Sequence, residues 1–107
     1  MILVSVYRTK NGLIYSVKIK NHGEALLCAA VSALVINTVN SIKVFTDDMI
    51  LIKKNEINGF ICFELPNIKN GSESKKSTLL LDSLVLGLNG IAAEYSGIKI
   101  KDTMKLY

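Results

Sequence analysis

Leu13-Ile14-Tyr15-Ser16-Val17-Lys18-Ile19-Lys20, followed at once by Asn21-His22-Gly23-Glu24-Ala25-Leu26-Leu27-Cys28-Ala29-Ala30-Val31-Ser32-Ala33-Leu34, is the stretch in which the hydrophobic period changes. In the first half Leu13, Tyr15, Val17 and Ile19 fall on one face, and Ser16, Lys18 and Lys20 on the other. That alternation describes a strand with a core on one side and water on the other. From Cys28 the apolar positions Val31, Leu34, Val35, Thr38, Ile42 and Phe45 recur three or four apart, which predicts about five turns of helix packed on the sheet. Asn21 to Glu24 form the corner between the two, and Asp47-Asp48 is the expected end of the helix.

The pattern extends outward in both directions. Residues 2–7 read as a strand joined to 13–20 through Thr9-Lys10-Asn11-Gly12, since Asn-Gly favours tight hairpin turns. Met49 to Lys53 and Phe60 to Leu65 read as a second hairpin around Asn55–Gly59. Both of its strands are apolar on each face, which suggests central positions or a covered second face. Pro66 to Ser74 reads as a polar, mobile loop. A second helix follows, with Leu79, Leu80, Leu84, Leu88, Ile91 and Tyr95 as its stripe, and Leu81, Val85 and Leu86 widen it beyond one sheet contact, as a partner surface would. Ile98 and Ile100 make a final strand. The expected fold is α+β in two layers, a mixed sheet of about five strands with two long helices in the order β-β-α-β-β-α-β.

Composition bounds the function. The chain has 107 residues, 50% of them hydrophobic and 21% charged, with a net charge of +4; one domain over 1–107 is the expectation. No segment reads as a signal peptide or as the roughly 20 apolar residues of a membrane span, so a cytoplasmic protein is expected. Two cysteines and one histidine, without CxxC or zinc spacing, argue against a disulfide framework, a metal or another cofactor. The lysines are spread along the chain and read as a solvated surface, with no direct nucleic-acid binding expected.

His22 and Cys28 carry the chemistry. The only histidine stands six residues before a cysteine at the predicted start of a helix. A helix N-terminus carries roughly half a positive charge and unpaired N–H groups, which favour a thiolate and any anion formed beside it. Peptide cleavage by a cysteine requires a thiolate, a proton donor for the leaving amine and N–H donors at the developing oxyanion. Cys28 is the candidate nucleophile, His22 the proton donor and acceptor, and the backbone N–H groups of Cys28 and Ala29 the candidate oxyanion hole. Ser32, one turn beyond Cys28, either shapes the site or bonds back to the helix carbonyl at position 28. Cys62 reads as a small core residue.

His22, a short loop, then Leu27-Cys28-Ala29-Ala30-Val31-Ser32-Ala33-Leu34 resembles the active-site segment of the Prp family, the ribosomal-processing cysteine proteases. That family's pattern is Gly-His-Ala, a variable loop, then Asp-Ile-Val-Cys-Ala-Ala-Val-Ser. The resemblance implies a homodimeric cysteine endopeptidase that removes the N-terminal extension of large-subunit ribosomal protein twenty-seven. The chain departs from the pattern in four ways. Asn21, a further candidate for shaping the site, stands where glycine is usual, and Gly23 replaces alanine. Ala25 takes the place of the aspartate, and the His-to-Cys loop is shorter. A second alignment, in which His22-Gly23 matches the Tyr-Gly or His-Gly just before Asp-Ile-Val-Cys, would leave the catalytic histidine absent. Three other readings stand beside the protease: a non-catalytic, ribosome-associated binding module with the same dimeric fold, a thiol redox sensor acting through Cys28, and, ranked last, an RNA-binding protein using the basic surface, which would bind with a steep salt dependence.

Overall fold

Turn chemistry shapes both hairpins. In the computed structural model, which describes residues 1–72 and 74–102, β1 (Ile2–Arg8) and β2 (Ile14–Lys20) pair antiparallel. Gly12, at φ +87°, takes the left-handed position of their turn, and Thr9 closes it by accepting from Gly12 N–H at 2.9 Å and donating its own N–H to the Leu13 carbonyl at 2.8 Å. The second hairpin joins β3 (Leu51–Asn55) to β4 (Phe60–Glu64). The Asn55 carboxamide there accepts from the N–H groups of Ile57 and Asn58.

The sheet order is β3-β4-β2-β1-β5, with β5 (Ile98–Asp102) parallel to β1 and every other pair antiparallel. Register aligns Val6, Val17 and Phe63 in one row and Val4, Ile19 and Ile61 in the next, so one face is a continuous apolar surface. α1 (Ala25–Phe45) lays Leu27, Val31, Val35, Val39 and Ile42 into the core, and α3 (Lys75–Glu94) adds Leu81, Leu84, Val85 and Leu88. Each such side chain contributes about 1.5–3 kcal/mol by leaving water. At the far end of the sheet Arg8 grips both carboxylate oxygens of Asp102 through Nε at 2.9 and 3.0 Å, and donates to the Gly12 carbonyl. This latch ties β5 to the first hairpin.

The expected architecture and element order hold, with one addition and several shifts. Pro66 begins a short helix, α2 (Pro66–Lys69), inside the segment expected to be a loop; proline at the first helical position loses no hydrogen bond. α1 starts at Ala25, three residues before Cys28, and ends at Phe45, where Thr46 folds its hydroxyl back onto the Ile42 carbonyl at 2.7 Å. β3 is an exposed edge strand, not a central one. On α3, Leu81 and Val85 are core residues, while Leu79 and Tyr95 of the expected stripe are exposed. α1 is also long and apolar enough to cross a membrane by length and composition, with 21 residues and a mean hydropathy of 1.9. That corrects the expectation that no segment reaches such a length. Here its inward stripe packs on the sheet and against α3.

Candidate active site

The corner between β2 and α1 is built by backbone constraints. Asn21 has φ +73°, a left-handed conformation that only glycine adopts freely and that asparagine tolerates better than most residues. Gly23 then passes so close to β1 that an added Cβ would sit 3.0 Å from Ile2 Cγ1. Tight approach at both ends forces the chain into α1 within four residues, which delivers Cys28 one turn inside the helix.

The Cys28 thiol is half-buried and faces back toward this corner. Its sulfur accepts from Gly23 N–H at 3.2 Å and lies 3.5 Å from the Gly23 carbonyl. The backbone N–H of Cys28 donates to the Glu24 carbonyl at 2.9 Å. This corrects the expectation that the Cys28 N–H stands free for an oxyanion: with the helix beginning at Ala25, that group lies inside the helical ladder, and Ala29 lies one residue deeper. The uncommitted end of the helix is the turn from Ala25 to Leu27, because Glu24 supplies no side-chain cap.

His22 is exposed and points across to the second hairpin. Its Nε2 lies 3.2 Å from the Ile57 carbonyl, within reach of a hydrogen bond when that nitrogen carries the proton. Gly59, at φ +61°, clears the ring's path: a Cβ there would come within 2.9 Å of both Cε1 and Nε2. The imidazole is thus held between the β2 end and the β3–β4 turn. Its bond runs to that turn, as the thiol's runs to Gly23.

The two groups nevertheless border one cleft of about 360 Å³, which also contains Asn21 and Ser32. Its walls are mainly apolar, with Val31, Val35 and Ile36 from α1, Ile2 and Ile19 from the sheet, and Phe60 and Ile61 from β4. Lys54 and Glu56 stand at its rim, 3.6 Å apart and both exposed. Ser32, one turn beyond Cys28, is exposed. Cys62 is not the core residue it was expected to be. It is half-buried on the sheet face away from the helices, paired in register with Lys18.

Sequence reasoning missed the β3–β4 turn as a wall of this site, including the Ile57 carbonyl and Gly59. Asn58-Gly59 marked a turn, but nothing in a linear pattern reports a contact with a residue 35 positions away. Gly23 N–H on the thiol was equally hidden, because it depends on where the helix begins.

A two-layer α+β fold with one thiol and one imidazole bordering the same apolar cleft defines a class of small proteins with a thiol-bearing site. Comparison with known proteins identifies the particular group. The sequence pattern of the family described as cysteine protease Prp matches residues 1–100, and the chain belongs to that family. It is 31% identical over 74 residues to the ribosomal processing cysteine protease Prp of Bacillus subtilis (strain 168), covering 69% of this chain and 66% of that relative, just under two thirds of its length. Among solved structures, the essential ribosomal processing protease Prp from S. aureus, in complex with a covalently linked product peptide, superposes with a TM-score of 0.85 at 22% identity over 95% of this chain and 99% of that one. SMU.848 from Streptococcus mutans superposes with a TM-score of 0.80 at 28% identity, over 95% and 96% of the two chains.

Proposed function

We propose that this chain is a cysteine endopeptidase in which Cys28 attacks the scissile carbonyl and His22 holds and then delivers the thiol proton. The observation that carries the reading is the placement of this thiol and this imidazole on one apolar cleft, in a chain of a cysteine protease family. The left-handed backbone at Asn21 supports matching Asn21-His22 to Gly-His in preference to the alignment that leaves the histidine out. In the free protein the two groups are held by Ile57 and Gly23; catalytic hydrogen bonds commonly tighten only when substrate is bound. Gly23 N–H, already 3.2 Å from the sulfur, is the donor best placed for the developing oxyanion, with the uncapped turn 25–27 behind it.

The substrate fitted to this site is an extended peptide with large apolar side chains. Within the family reading it is the N-terminal extension of large-subunit ribosomal protein twenty-seven, processed in the cytoplasm by a homodimer. Leu79 and Leu86, exposed on the outer side of α3, support a paired state. The test is incubation with a peptide spanning the host ribosomal protein's N-terminus, read by mass spectrometry. One cleaved bond, absent with Cys28→Ala and slowed by at least about 100-fold with His22→Ala, is expected. Peptide that binds but remains whole under reducing conditions would remove the protease reading.

A further inference from the structure

The helices cover one face of the sheet, and the other face is where the lysines gather. Register places Lys53, Cys62, Lys18, Ser5 and Lys101 side by side in one row across all five strands. One step along the strands, Lys20, Leu3 and Lys99 form a second row. Lysines that are spread from position 18 to position 101 in the sequence therefore form a two-row array on one surface. Side chains in alternate strands of a row stand about 10 Å apart. Lys20, Lys53, Lys99 and Lys101 are exposed, and Lys18 Nζ lies 5.7 Å from the centre of the Tyr7 ring on the same face. Among the described residues, the carboxylate on this face is Glu64, and it is engaged with Lys69 at 3.5 Å.

We infer that this lysine face is a docking surface for single-stranded RNA, gripped through its phosphates. Charge complementarity selects a polyanion, and the geometry selects among polyanions. Among the described residues, the surface is an open sheet with no helix or protruding ribbon on it to enter a duplex groove. Open sheets that combine cations with aromatic rings suit single strands, whose bases can lie on the rings while phosphates meet the charges. Tyr7 supplies such a ring beside the Lys18 ammonium. A membrane surface would call for several protruding apolar anchors among the lysines; Leu3, within the second row, is half-buried, and exposed Leu51 stands apart from both rows, beside Glu64 at the sheet edge. The surface lies on the opposite side of the sheet from α1, which bears Cys28, so it does not depend on the protease reading.

The experiment is fluorescence anisotropy of the full chain with a labelled single-stranded RNA of about a dozen mixed-sequence nucleotides. With five lysines on phosphates, affinity is expected to fall about 100-fold between about 50 and 200 mM salt. The triple substitution Lys18→Gln, Lys53→Gln, Lys101→Gln should weaken binding by at least about 10-fold and lower the logarithmic salt slope by about 2. Lys10→Gln, Lys75→Gln, Lys76→Gln removes the same charge elsewhere and should leave affinity within about twofold. Thermal melts establish that both triples fold; if the first does not, Lys99→Gln, Lys101→Gln on the edge strand carries the test, with about a threefold or greater loss expected. Equal weakening by the two triples, tighter binding of single-stranded DNA of the same sequence, or adsorption to phosphatidylserine vesicles without RNA binding would each overturn the inference.

Discussion

The two hairpins use similar turn chemistry for opposite ends. β1 and β2 sit inside the sheet, bury side chains from both strands and are latched to β5 through Arg8 and Asp102. β3 and β4 lie toward the sheet's edge. β4 anchors through Phe63, while β3 is exposed along its whole length, and the turn between them carries the almost wholly exposed Ile57 whose carbonyl meets His22. One hairpin holds the fold together and the other gives the site an exposed wall beside the imidazole. A shared motif thus says little about role; its place in the sheet decides.

The largest expected effect is on stability in the first hairpin. Ile14→Ala removes a side chain only 1% exposed and should lower the unfolding free energy by about 2–5 kcal/mol, measured by urea denaturation. A loss under about 1 kcal/mol would mean that this hairpin is not the anchor. Next comes Gly59→Ala in the second turn, where positive φ costs about 1–2 kcal/mol for a residue bearing a Cβ and the methyl collides with the imidazole. Stability should fall by that amount, and an NMR spectrum of His22 should shift. An unchanged His22 resonance would separate the turn from the site. The smallest effect belongs to Ile52→Thr on the edge strand, expected to change stability by less than about 0.5 kcal/mol; a loss comparable to that of Ile14→Ala would erase the contrast between the hairpins.

The strands and long helices were legible because each carries its own period. Leu13 to Ile19 alternate, and Val31, Val35 and Ile42 recur at helical spacing, so local pattern and tertiary burial agree. The edge position of β3 was not legible, since Met49 to Lys53 are as apolar as a central strand and only pairing reveals which side is open. The rotation of the α3 face was lost for a related reason: Leu79, Leu80, Leu81, Leu84, Val85, Leu86 and Leu88 leave more than one stripe available. Cys28, His22, Asn21 and Ser32 were readable as residues and do border one cleft. Their hydrogen bonds were not, because Gly23 meets the thiol, and Ile57 meets His22, only after the corner at Asn21 has turned.

The central claim rests on Cys28 as the nucleophile, and acid-quenched intact-mass analysis during turnover of the ribosomal-protein peptide tests it most directly. The account predicts a transient thioester that maps to Cys28, with Cys62 unmodified and no adduct or cleavage in Cys28→Ala. Cleavage that persists in Cys28→Ala, or an acyl group carried by Cys62, would contradict it.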